Sequence, residues 1–148
     1  MKKVLAVLAV GLLAAADKPV SDEAKADLKK LAGTWALVAE VSDGEKRDDD
    51  YLKKIKWVIN EDGTWKVLED GKVKYRGKLT VDPTKKPRAI DSILAGEQEG
   101  TVVRSIYEVN GDTLKHCFTV GEEERPKSFE SKAGSRCTNS VFKRVKEK

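Results

Sequence analysis

His116 and Ser105 are the residues whose types are suited to chemistry, since an imidazole beside a hydroxyl is the pairing that proton transfer and nucleophilic attack employ. His116 is the only histidine among the 148 residues, which excludes a multi-histidine metal site and leaves at most one imidazole-based proton-transfer centre. No acid that would orient the imidazole is identifiable, Ser105 stands in no Gly-x-Ser-x-Gly elbow, and no oxyanion-hole signature accompanies it. The pair therefore reads as non-catalytic: either a hydrogen-bonded polar pair inside the fold or the polar part of a pocket. Trp57, Trp65, Tyr75 and Tyr107 form a second set, able to stack against a ligand or to pack a core. Cys117 and Cys137 form a third. They lack nearby histidines for a metal site and the Cys-x-x-Cys spacing of a redox motif, so a disulfide is the chemistry open to them. No motif calls for a cofactor or a metal.

These side chains are positioned by what reads as a small all-β barrel. Ser21 is a suitable N-cap followed by Asp22 and Glu23, and Ala24, Leu28, Leu31 and Ala32 make one apolar stripe of a short helix ending at Gly33. Strand patterns follow at Trp35–Val41, Ile55–Asn60, Thr64–Leu68, Lys72–Val81, Ala89–Leu94, Thr101–Val109, Thr113–Thr119 and Ser140–Lys146. Eight consecutive strands with short turns predict an up-and-down antiparallel barrel, filled by side chains or holding one small ligand.

Turn chemistry sets the expected register. If Glu61-Asp62-Gly63 and Glu69-Asp70-Gly71 are three-residue loops with glycine in the left-handed region, Ile59 pairs with Trp65, Trp57 with Val67, Val67 with Val73, and Trp65 with Tyr75. All of these fall on one face. The opposite face carries Lys72, Lys74, Arg76 and Lys78, a solvated surface with weak attraction for anions as its functional alternative. Reading Asn110-Gly111 as a two-residue turn pairs Tyr107 with Leu114, Ser105 with His116 and Val103 with Phe118. Cys117 then points outward on the seventh strand, and Cys137 precedes the neighbouring eighth.

Met1 to Ala16 has the layout of a secretory signal peptide: Lys2 and Lys3, the uncharged run Val4 to Leu13, then Ala14-Ala15-Ala16 before Asp17. Cleavage after Ala16 predicts an exported protein, periplasmic or secreted, with one domain over residues 17–148. The run is too short to span a bilayer. Removing the two lysines lowers the formal charge from +4 to +2, too slight an excess for a nucleic-acid partner. The mature chain is long enough to bury about two-thirds of its unfolded surface. Asp48-Asp49-Asp50 and Glu122-Glu123-Glu124 read as solvated loop charges, without the alternating spacing and glycine of a calcium loop.

Five segments carry a family resemblance: Leu31-x-Gly-Thr-Trp35, Val81-Asp-Pro-Thr-Lys-Lys-Pro-Arg-Ala-Ile-Asp91, Ile106-Tyr-Glu-Val-Asn-Gly-Asp-Thr-Leu114, Glu124-Arg-Pro-Lys-Ser-Phe129 and Phe142-Lys-Arg144. Through them the chain resembles the uncharacterised lipocalin-like domain family expanded in planctomycete bacteria, from about Leu31 to Lys146. The resemblance implies a calycin-type barrel in an exported protein and carries no established activity. His116 departs from the family pattern, where an aliphatic residue is expected. In the wider lipocalins the Gly-x-Trp tryptophan is covered by an arginine from the last strand, and Trp35 and Arg144 match by position, an architectural pair. The expected function is an exported binding module for a small apolar or amphiphilic molecule, lined by Trp57, Trp65, Tyr75, Ser105, Tyr107 and His116, with no catalysis. The alternative is a closed-core structural or protein-interaction module with an unidentified protein partner.

Overall fold

The computed structural model describes residues 20–119 and 124–146; the expected signal peptide, Asp17, Glu122 and Glu123 lie outside them. The described residues are all-β apart from two short α-helices and a 3-10 turn at Gly96–Gln98. Helix α1 (Asp22–Leu31) leads into β1 (Gly33–Ser42), β2 (Glu45–Lys46), helix α2 (Asp49–Lys54), β3 (Ile55–Ile59), β4 (Thr64–Glu69), β5 (Lys72–Asp82), β6 (Arg88–Leu94), β7 (Val102–Asn110), β8 (Thr113–Thr119) and β9 (Cys137–Arg144). The sheet runs β2-β1-β3-β4-β5-β6-β7-β8-β9 and closes through β1 against β9. It is a closed eight-stranded antiparallel barrel, as the strand pattern predicts, with β2 as one additional strand.

Helix α1 forms where Ser21 accepts a hydrogen bond from the Ala24 amide at 3.1 Å, with Asp22 and Glu23 in the first turn and Lys29 and Lys30 in the last. Its buried stripe includes Ala24, Leu28 and Leu31 but also Asp27. That carboxylate accepts from the Tyr107 hydroxyl at 2.5 Å and from Arg88 at 2.6 Å, locking the helix to the barrel. Buried polar groups persist when paired in this way.

Trp35 and Arg144 are directly opposite each other across β1 and β9. Trp35 is fully buried and donates its indole N–H to the Leu31 carbonyl at 2.8 Å. Arg144 donates to the carbonyls of Ala32 and Lys30, both at 2.7 Å. Gly33 has φ +132°, and a Cβ there would come 2.8 Å from the Arg144 guanidinium. The Gly-x-Trp glycine is therefore set by backbone conformation and by the arginine that covers the tryptophan.

Two registers differ from expectation. The first hairpin keeps Ile59 with Trp65 and Trp57 with Val67. The next turn has only two residues, Asp70 and Gly71, both at positive φ, so Glu69 pairs with Lys72. This is the two-residue hairpin geometry favoured by Asp-Gly. A register shift between Val67 and Leu68 then pairs Val67 with Tyr75, Leu68 with Val73 and Trp65 with Gly77. The last hairpin turns at Gly111-Asp112, with Asn110 opposite Thr113, so Tyr107 faces His116 and Ser105 faces Phe118. The shift is two residues, which preserves which face each side chain occupies.

Asp48-Asp49-Asp50, read from the sequence as solvated loop charges, instead starts helix α2: Asp48 caps it by accepting from the Tyr51 amide at 2.9 Å. Leu52 is buried in the barrel core. The β8–β9 connection is pinned along the seam between β6 and β7, where Arg125 donates to the carbonyls of Ile90 and Ser105 at 2.9 Å and to Asp91 at 2.6 Å.

Candidate functional site

The inward-facing residues divide the barrel interior into two unlike walls. Strands β3 and β4 contribute Ile55, Trp57, Ile59 and Trp65, all buried. Trp57 meets Trp65 edge to face at 6.4 Å between ring centres and lies 4.8 Å from His116 and 5.5 Å from Phe142. Across from them, β1 and β6 to β9 supply Glu40, Ser92, Ser105, His116 and Ser140. Register places Glu40, Ser140, His116 and Tyr107 in one row. The strands of this second wall also supply Trp35, Leu37, Ile90, Leu94, Leu114 and Phe142 to the core, so it is an apolar wall with a polar patch.

Ser105 and His116 are brought together as diagonal neighbours, not as the directly opposed pair expected. Ser105 Oγ donates to the Ile90 carbonyl at 3.3 Å and lies 2.9 Å from His116 Nε2. The contact orders the imidazole, and the tautomer of His116 sets which of the two atoms donates. Burial pushes the His116 pKa down to about 4 by disfavouring imidazolium. Phe118 adds a second ring 5.5 Å from His116.

Glu40 is a residue that strand alternation misses. Its carboxylate accepts from Ser140 Oγ at 2.8 Å and lies 3.5 Å from Arg47. The register of β1 against β9 shifts between Leu37 and Ala39, a bulge that turns Glu40, rather than Ala39 or Val41, toward the interior. No turn residue or spacing in the sequence marks that bulge.

The two buried tryptophans facing this wall have indole N–H groups without a partner. Trp57 Nε1 and Trp65 Nε1 are both enclosed and bond to nothing within the described residues. A buried N–H left unpaired costs free energy that a bound acceptor recovers. Tyr107, by contrast, is committed to Asp27, and burial together with that hydrogen bond raises its pKa. It belongs to the helix lock and not to a ligand-lining surface.

Tyr75 departs from the expected inner wall. It is 41% exposed, with Lys74 Nζ 5.7 Å from its ring centre. The two-residue turn and the register shift carry the start of β5 outward, so its ring stands at the rim. There it helps line an open concavity of about 450 Å³ together with Val73, Lys74, Arg76 and Leu94–Gln98. No protein-family model, curated protein or solved structure matches this chain.

Cys117 and Cys137 are free thiols in this structure, so the expected disulfide is absent. Cys137 lies within β9, opposite Thr119, while Cys117 faces Asn139, which makes the cysteines diagonal neighbours. Cys117 is fully buried although it points away from the barrel axis. Burial and the adjacent Cys137 push its pKa up to about 12. Among the described residues no group of three or more His, Cys, Asp or Glu gathers to hold a metal. None of their helices is long and apolar enough to cross a membrane.

Proposed function

We propose that this protein is an exported binding module that holds a small apolar or amphiphilic molecule in its barrel and performs no catalysis. The observation that carries the reading is the pair of buried, unpartnered indole N–H groups of Trp57 and Trp65 opposite the Ser105–His116 wall. A ligand with an apolar body and a hydrogen-bond acceptor would satisfy both walls at once. The lack of an orienting acid, a Gly-x-Ser-x-Gly elbow and an oxyanion-hole signature in the sequence supports a non-catalytic role. Export is supported by the signal-peptide pattern of residues 1–16. The resemblance to lipocalin-like domains agrees with the barrel and adds no activity.

Native mass spectrometry of the protein purified from its host, followed by titration with the neutral fluorophore phenyl-naphthylamine, tests the reading. A retained small molecule, or saturable binding with quenching of tryptophan emission, is the expected result. The competing reading is a closed-core structural or protein-interaction module. It is favoured by the single continuous cluster that joins Leu28, Trp35, Trp57, Trp65, Ile90 and Phe142. Protein that carries nothing and binds no fluorophore would establish that alternative.

A further inference from the structure

Strand β5 runs on past the end of β6 at one end of the barrel. Pairing of β5 with β6 begins only at Gly77, opposite Leu94, and the last hydrogen bond on that side runs from the Ala95 amide to the Arg76 carbonyl at 2.9 Å. Gly77 marks the end of the seam for a steric reason: a Cβ there would overlap the Ile93 carbonyl. Residues 72–75 continue with β4 beyond the point where β6 ends at Leu94. The 450 Å³ concavity lies beyond that point, within the range of small-molecule sites.

Its lining has a consistent chemistry. Val73 and Tyr75 are 53% and 41% exposed, large apolar groups left in solvent at the rim, while Leu94 belongs to the barrel core. Trp65, Gly77 and Leu94 share one row across β4, β5 and β6. At Gly77 the Ile93 carbonyl fills the place a side chain would take, so this row closes the inner side of the concavity. Lys74 is engaged by Glu69 at 3.4 Å. Arg76 has no carboxylate partner among the described residues, and Lys66 stands directly opposite it across the β4–β5 ladder. Like charges facing each other are unfavourable, and an anion between them relieves the repulsion. Glu97 is the one carboxylate of the lining, on the far side in the β6–β7 connection.

We infer that this concavity is a ligand port at the barrel rim, and that the molecule it admits is an anionic amphiphile whose charged end rests on Arg76 while its apolar body lies against Val73, Tyr75 and Leu94. The inference rests on the binding reading above and adds to it the ligand's charge and the place where that charge sits.

Two fluorophores that differ by one sulfonate test it on the full-length processed protein: neutral phenyl-naphthylamine and anionic anilinonaphthalene sulfonate. The wild type should bind both. Arg76→Gln should weaken the sulfonate about tenfold, as for a lost charge-assisted hydrogen bond, and leave the neutral probe unchanged. Lys143→Gln, on the exposed face of β9, controls for loss of net charge and should change neither. Tyr75→Ala should weaken both probes, and its circular dichroism and melting should match the wild type because the ring is at the rim. Binding of both probes with Arg76→Gln silent overturns the port and leaves the binding reading intact, as does binding of the neutral probe alone. Binding of neither overturns both.

Discussion

The guanidinium carbon of Arg144 lies 4.3 Å from the centre of the Trp35 ring, and the same guanidinium donates to the carbonyls of Ala32 and Lys30 just beyond helix α1 and at its last turn. One side chain thus closes the barrel seam, covers the buried tryptophan and satisfies carbonyls at the helix end. Trp35→Ala should lower stability by about 3–5 kcal/mol, as for a large buried aromatic. Arg144→Ala should cost about 2 kcal/mol and shift the tryptophan emission, and Arg144→Lys should recover little of it, because an ammonium lacks the planar fork. Denaturant melts followed by fluorescence measure all three. A Trp35→Ala protein within half a kcal/mol of wild type would remove the closed-end assignment.

Asp27 gives a second, ordered series. Its side chain is 4% exposed, whereas that of its partner Arg88 is 44% exposed, so water competes with the ion pair on one side only. Asp27→Ala strands the buried Tyr107 hydroxyl and should be the most damaging, at about 2–3 kcal/mol. Tyr107→Phe should cost about 1–2 kcal/mol, and Arg88→Gln less than either. If urea midpoints place Arg88→Gln lowest, the lock operates through the surface ion pair and not through the buried hydrogen bond.

The cysteines differ enough in environment to be told apart by labelling. The fully buried Cys117 thiol has its pKa raised to about 12, so almost none is thiolate at neutral pH. Cys137 is only partly buried. Alkylation of the native reduced protein with iodoacetamide, read by peptide mass, should modify Cys137 first and Cys117 only on unfolding. Equal labelling rates would show that the cover over Cys117 opens readily.

The sequence is most legible where one turn or one cap decides the geometry. Ser21 and Gly33 mark α1 and the start of β1, and Glu61-Asp62-Gly63 fixes Trp65 against Ile59, whereas Arg144 is placed over Trp35 by the resemblance to lipocalins. Legibility fails where a local choice among near-equal turns sets a long register. Asp70-Gly71 is a complete two-residue turn inside Glu69-Asp70-Gly71, and that difference, with the register shift beside it, sends Tyr75 to the rim. The misplacement of the Asn110-Gly111 turn is harmless to the site, because a shift of two keeps Ser105 and His116 on the inner face. Glu40 is hidden by a bulge, and Asp27 lies on the apolar stripe of α1, where a lone carboxylate is itself the signal of a buried partner. Asp48-Asp49-Asp50 is a cap and acidic first turn read as a solvated loop, since a helix as short as residues 49–54 offers too few turns for periodicity to show.

His116 makes the stability of the protein depend on pH in a defined window. Its folded pKa is about 4, against 6.5 for an ordinary histidine, because burial disfavours imidazolium. Below pH 6.5 the unfolded chain takes up a proton that the folded protein refuses, so unfolding is favoured progressively as pH falls from 6.5 to 4. Below pH 4 both states are protonated at this site and the effect is complete. Its full size is about 3 kcal/mol, because each tenfold loss of proton affinity on folding is worth about 1.4 kcal/mol. The depressed carboxylates Asp62 and Asp82, held low by hydrogen bonds from Thr64 and Thr84, act only below the ordinary aspartate range and leave the window to His116. His116→Leu should therefore flatten the dependence of the urea midpoint on pH between 6.5 and 4, while losing the bond to Ser105 and the ring contacts with Trp57 and Phe118. An NMR titration in which the imidazole of wild-type protein titrates near 6.5 with rapid exchange would place His116 in solvent and remove it from the inner wall.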